Sequence, residues 1–188
     1  PTSNYGKTKL KGEKIIQIFF KKQKLNYGIL RFFNVAGASE SGKIGQINKG
    51  DQLFKNLSLE IKKNKPIFKI YGTNYKTKDG TCIRDYIHVM DLANAHVLTL
   101  NHGLENNTKP LILNVGTGKG NSVLEIIESF EKVNNLSLKY IIGPRREGDV
   151  PAIYADNKLI TQKIGWKSKY SIEDALKHSW IWEQKLSQ

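Results

Sequence analysis

Acidic residues and cysteine are both scarce in this sequence: 17 Asp and Glu stand against 30 Lys and Arg, and Cys82 is the one thiol. One cysteine forms neither an internal disulfide nor a cysteine-rich metal site, which fits a reducing compartment. No apolar run reaches the length of a membrane span, and the opening Pro1-Thr2-Ser3-Asn4 has no hydrophobic signal core. A soluble cytoplasmic protein is therefore expected. Internal repeats and low-complexity linkers are missing too. What remains is 188 residues, 39% of them hydrophobic, enough for one compact domain or one and a fraction.

The formal net charge of +13 would attract any polyanion. The lysines, however, are spread through every segment beside Asn and Ile, with no basic block and no aromatic-interleaved stripe. They are read as solvated faces, not as a nucleic-acid footprint.

Apolar segments of alternating length recur along the chain, separated by turn residues. A helix is expected from Lys7 to about Lys22, with Leu10, Ile15, Ile18 and Phe19 toward a core. Gly28 opens a strand over Ile29 to Phe33, and a Gly- and Ser-rich loop runs from Gly37 to Gly50. Leu53, Phe54, Leu57 and Ile61 have helical spacing, and Pro66 ends that helix before a strand from Ile67 to Tyr71. Asp91 is expected to cap a helix over Leu92 to Leu100, and Leu111 to Val115 forms a strand entering Gly116-Thr117-Gly118-Lys119-Gly120. Ser122 and Glu125 have capping-box spacing for a helix to about Val133. A strand from Leu138 to Ile142 and helices over Asn157 to Ile164 and Ile172 to Leu186, the last capped by Ser171, complete the pattern. Alternating strands and helices imply an α/β protein with parallel pairing.

Tyr5 and Lys9 lie one helical turn apart on one face. An ammonium beside a phenol stabilises phenolate and so makes tyrosine a usable proton acceptor. Such a pair arises by chance in any Lys-rich helix, and its surroundings decide its meaning. His88 and His96 lack ligand-spaced acidic or cysteine partners, so buried or capping roles are expected in place of a metal site. The GTGKG segment imitates a dinucleotide-binding turn but lacks G-x-G-x-x-G spacing, and a structural turn is expected there.

Five ordered blocks give those surroundings: NYGKTKLKGE at 4–13, LRFFNVAGA at 30–38, DGTCIRDYIHVMDLANAH at 79–96, NVGTGKGNSV at 114–123 and PRREGDVPAIYAD at 144–156. Together they resemble the UDP-glucose 4-epimerase type of the extended short-chain dehydrogenase/reductase family, over nearly the whole chain. The resemblance implies a truncated Rossmann-like α/β fold: the last strands of the dinucleotide sheet plus the smaller α/β substrate-binding domain. Residues 1–38 would be the end of the NAD-binding domain and 39–188 the UDP-sugar-binding domain, with 91–116 returning to the Rossmann sheet. The family's glycine-rich cofactor half, and the Ser or Thr that assists the tyrosine, would precede Pro1.

What the resemblance implies for chemistry is internal redox with bound NAD. Tyr5 would take the proton of the sugar 4-hydroxyl as carbon 4 is oxidised to a 4-keto intermediate, which turns over and is reduced on its other face. Lys9 would stabilise the phenolate and bond the nicotinamide ribose, and Phe32 would stand beside the nicotinamide. Arg84 and Arg146 match the diphosphate contacts, Asp149 the carboxylate on the uridine ribose, Asn34 a contact near the phosphates, and Tyr71 an aromatic of the uracil pocket. Leu53 lies in the uridine-contacting helix, where Asp51-Gln52 replaces the family's Asn or His before Leu. Ile153 holds the position that limits the sugar's carbon-2 substituent. Arg145 and Glu147 are read as ordinary surface charges.

Expected partners are a UDP-sugar, a complementary amino-terminal chain and a second copy in a homodimer, without membrane or nucleic acid. Alone, the chain is expected neither to retain NAD nor to epimerise. Two origins stay open, a piece of a longer enzyme or the product of a split gene. The competing readings are a nucleotide-sugar dehydratase or decarboxylase, an inactive UDP-sugar-binding remnant, and a basic nucleic-acid binder.

Overall fold

A computed structural model describes residues 1, 3–48, 50, 52–106 and 109–186. Four small sheets and the helices around them form an α/β protein, as the alternating pattern implied. Helix α1 (Asn4–Gln23) is capped by the Ser3 hydroxyl, which accepts from the Gly6 N–H, and ends at Lys24 in the left-handed region. Strand β1 (Gly28–Phe32) pairs in parallel with β6 (Leu111–Val115), and β2 (Asn34–Ala36) pairs in parallel with β5 (Tyr86–His88). Strand β3 (Ile67–Tyr71) pairs in parallel with β8 (Lys139–Gly143). The two-residue strand β4 (Ile83–Arg84) lies between β7 (Asn121–Ser122) and β9 (Ala152–Ile153).

Helix α2 (Leu53–Ile61) precedes β3, α3 (Val89–Asn106) follows β5, and α4 (Val123–Asn134) follows β7. Helices α5 (Lys158–Ile164) and α6 (Ile172–Lys185) close the chain. The expected capping box forms at Ser122 with Glu125, and Ser171, expected as a cap, forms a box with Asp174.

Two cores result. The larger joins Phe54 and Leu57 of α2, Phe68 and Ile70 of β3, Ile126, Ile127 and Phe130 of α4, and Leu176 of α6. The second joins Ile87, Leu92, Leu113, Val115, Ile160 and Trp166 around the β1–β6 pair. The expected inward face of α1 is corrected: none of its residues is buried, and Ile15, Ile18 and Phe19 are 68%, 70% and 54% exposed. A two-stranded sheet is too narrow to cover a 20-residue helix. Among the described residues α1 is tied down by the Glu13–Arg31 ion pair (2.6 Å) and by Phe20 against Tyr27.

A second correction concerns Asp91, which falls inside the first turn of α3 and does not cap it. It is buried, and its carboxylate accepts the N–H groups of Lys169 and Tyr170, both at 3.0 Å. The helix carboxylate thus anchors the segment that leads into α6.

His88 makes the matching tie from the end of β5. The Met90 N–H donates to its Nδ1 (3.1 Å), which leaves the proton on Nε2 for His178 Nδ1 of α6, also 3.1 Å away. The ring stacks on Tyr170 at 4.1 Å. Burial, and then the neighbouring His178, lower the His88 pKa to about 4. The unfolded chain binds this proton near pH 6.5 and the native chain does not, so stability is lost as pH falls from about 6.5 to 4. Urea denaturation should show a loss of up to about 3 kcal/mol across that window. The dependence should flatten in His88→Asn, and an equal slope in the variant would assign the titration elsewhere.

Candidate functional site

Parallel strands send their carboxyl ends, and the loops that follow, to the same edge, where α/β proteins gather ligands. Here β3 ends at Tyr71 and β8, in register with it, at Gly143, so loops 72–80 and 144–149 leave side by side. Gly72 N–H donates to the Gly143 carbonyl (3.0 Å) and joins their first residues. The Arg146 guanidinium lies 4.2 Å from the Tyr71 ring centroid, a cation–π stack on an exposed aromatic.

Arg84 stands at the end of β4, opposite Ile153 of β9 in the register. Its Nη1 donates to the carbonyls of Ile83 and Val150, both at 2.8 Å, and its Nη2 to Asp149 Oδ1 at 3.2 Å. Four of the expected residues, Arg84, Asp149, Ile153 and, through the same loop, Arg146, are therefore brought together. Asn34 is tied by its backbone to the strand that follows Arg84: its N–H donates to the Asp85 carbonyl, and it pairs with Tyr86 across β2 and β5. Leu53 packs partly buried against the larger core, one residue from Phe54, whose ring meets Tyr86 at 5.2 Å. Asp51 lies outside the described residues.

Tyr5 and Lys9 share one face at the start of α1, with the Lys9 ammonium 5.3 Å from the Tyr5 ring centroid. Tyr5 is 72% exposed. Phe32, 53% exposed, ends β1. No described hydrogen bond or ion pair joins these three to the Arg84–Asp149 group.

The Asp85 carboxylate ties together the elements beside that group. Fully buried, it accepts the N–H groups of Thr117 (3.0 Å), Gly118 (3.0 Å) and Ala155 (3.1 Å) and the Thr117 hydroxyl (2.7 Å). A side chain on Gly116 would place its Cβ 2.6 Å from Asp85 Oδ2. The GTGKG turn thus holds an anion, and the anion is the protein's own.

Tyr86, Tyr75 and Arg145 were missed as site residues. Burial pushes the Tyr86 phenol pKa up, as it does that of Tyr75, on which nearby Asp149 acts in the same sense. Cys82 sits among the same charges, with burial the main cause of its raised pKa. Nothing in local spacing marks these residues; only the block that carries Arg84 hints at Tyr86. His96 Nδ1 donates to the Leu92 carbonyl (2.8 Å) within its own helix.

A model of the NAD dependent epimerase/dehydratase family matches residues 1–116. The chain is 40% identical over 186 residues to a UDP-glucose 4-epimerase of Lactobacillus helveticus, covering 98% of this chain and 56% of that protein. The UDP-glucose 4-epimerase of Stenotrophomonas maltophila, solved with bound NAD and formylated UDP-arabinopyranose, superposes with a TM-score of 0.92 at 36% identity, over 97% of this chain and 55% of that one. The enzyme from Bifidobacterium longum, solved with NAD+ and UDP, gives 0.86 at 36% identity, over 98% and 57%. The chain spans about half the length of the curated relatives it matches.

Removing the Asp85 carboxylate leaves one buried N–H group, that of Ala155, and two partly buried ones without an acceptor, the buried one worth roughly 1–3 kcal/mol. Asp85→Ala should lower unfolding stability in urea by about 2 kcal/mol or more. A loss below about 1 kcal/mol would show that water replaces the carboxylate freely.

Proposed function

The chain belongs to the NAD dependent epimerase/dehydratase family, and on that premise we propose that it supplies the sugar-nucleotide-binding and proton-transfer parts of a UDP-glucose 4-epimerase. The observation that carries this reading is the gathering of Arg84, Arg146 and Asp149 at the carboxyl ends of β3, β4 and β8, beside the Tyr71 ring that Arg146 covers. Guanidinium groups meet diphosphate oxygens with paired hydrogen bonds, and a carboxylate accepts from ribose hydroxyls. The uracil ring stacks at Tyr71, Asn34 reaches the phosphate end, and Leu53 borders the uridine side. Ile153, 47% exposed and directly across from Arg84, borders the sugar.

The residues present fit the nicotinamide end of NAD and not its pyrophosphate. Tyr5, Lys9 and Phe32 are exposed and available, whereas the one turn that resembles a phosphate cradle is filled by Asp85. When bound, NAD supplies reversible oxidation at sugar carbon 4. Tyr5 accepts the proton of the 4-hydroxyl and returns it, with the Lys9 ammonium beside the same ring. Arg84 and Arg146 hold the diphosphate while the sugar turns. Residues 1–38 and 91–116 are the cofactor side of the molecule, and the remainder of 39–188 the substrate side. The 188 residues alone bind UDP but neither retain NAD nor turn over.

A UDP-binding remnant without catalysis differs in one respect only, the use of Tyr5. Titration calorimetry with UDP should give a saturable isotherm for the 188-residue chain, weakened at least tenfold in Arg84→Ala, a change of ~1.4 kcal/mol. Mixed with a chain carrying the glycine-rich half of a relative, the protein should interconvert UDP-glucose and UDP-galactose, and Tyr5→Phe should reduce that rate about 10²–10⁴-fold. Stoichiometric NAD in the purified chain, or no UDP binding, would overturn the reading.

A further inference from the structure

We propose that Arg145, a residue with no assigned part in binding, is the positioning residue that aims Arg146 and Asp149; this rests on reading those two side chains as nucleotide contacts. Its guanidinium lies 4.0 Å from the Tyr75 ring centroid. Nε donates to Asn74 Oδ1 at 2.6 Å, and Nη2 donates to the Asn74 main-chain carbonyl. Among the described residues no carboxylate pairs with it. The side chain therefore uses its flat face and its fork, and its charge makes no ion pair.

Loop 144–149 is thereby pegged to loop 72–80. The peg is built at close quarters: Gly72 has φ +82°, and a Cβ there would meet Arg145 Cγ at 2.6 Å and Tyr75 Cε2 at 2.8 Å. Tyr75 is a firm base, since it is only 4% exposed. The two neighbouring guanidinium groups lie on different rings, Arg145 on Tyr75 and Arg146 on Tyr71, and the same loop carries Asp149 to Arg84. A ligand then finds its contacts already ordered, which removes a conformational cost from binding.

Lysine keeps the charge but has neither the planar face nor the fork, so the charge-conserving variant is the informative one. UDP calorimetry and amide hydrogen exchange on the 188-residue chain should be compared for the parent, Arg145→Lys, Asn74→Ala and Arg146→Lys. Arg145→Lys should weaken UDP roughly three- to tenfold and speed exchange at residues 146–149, with the melting temperature kept. Asn74→Ala should do the same to a smaller degree. Arg146→Lys should weaken UDP without speeding exchange, as a direct contact does.

Parent-like affinity in Arg145→Lys would overturn the proposal, because charge alone would then suffice. So would weaker binding with unchanged exchange, which would make Arg145 a contact. Failure of the parent to bind UDP would sink the nucleotide-site reading itself; unchanged loop exchange in Arg145→Lys would separately sink the peg.

Discussion

Everything at the candidate site is hung on the Asp85 carboxylate. An ionised carboxylate with no solvent around it is costly to bury, and this one is matched by three backbone N–H groups and a hydroxyl from two different turns. Those turns follow β6 and β9, so a single side chain fixes β5, the exit of β6 and the end of β9 relative to one another. Arg84 is the residue next to it in the chain, so holding Asp85 also limits where Arg84 can stand. Ile153, two residues before the Ala155 N–H that Asp85 holds, is placed by the same constraint.

The second organising feature is the separation of the two cores. The larger one, under β3 and between α2, α4 and α6, is closed by its own helices. The smaller one has only β1 and β6 for a sheet, and α1 lies beyond its reach. A helix whose Ile15, Ile18 and Phe19 stand 54–70% exposed contributes little burial of its own. Tyr5 and Lys9 are carried by that helix, whereas Arg84 and Asp149 are carried by strands pinned to a core. The proposed proton-transfer pair and the proposed nucleotide contacts therefore rest on supports of very different firmness.

Much of this was legible in the sequence. Pro66 marked the start of β3, the two Ser caps fixed α4 and α6, and β3 and β6 were read to the residue. Long elements announce themselves because many side chains share one period. The two-residue strands β4, β7 and β9 announce nothing, since two residues have no period and their pairing is entirely long-range. Asp91 misled for a related reason. A carboxylate at a helix start suits a cap or a distant loop equally well locally, and only the approach of Lys169 and Tyr170 decides it. The outward face of α1 defeated the apolar pattern in the opposite way: periodicity shows which face a helix would bury, not whether a surface is there to bury it. Arg145 and Tyr75 were invisible because a stack between residues 70 positions apart leaves no trace in spacing.

The proposed nucleotide contacts are also satisfied among themselves. Arg84 donates to Asp149 and to two carbonyls, and Arg146 covers Tyr71. On that reading a base at Tyr71 meets the Arg146 guanidinium that already covers the ring, so base and phosphate contacts are coupled through a single side chain. Two adjacent arginines stand on two different tyrosines, Arg145 on Tyr75 and Arg146 on Tyr71. Order of this kind, present before a ligand arrives, removes part of the conformational cost of binding.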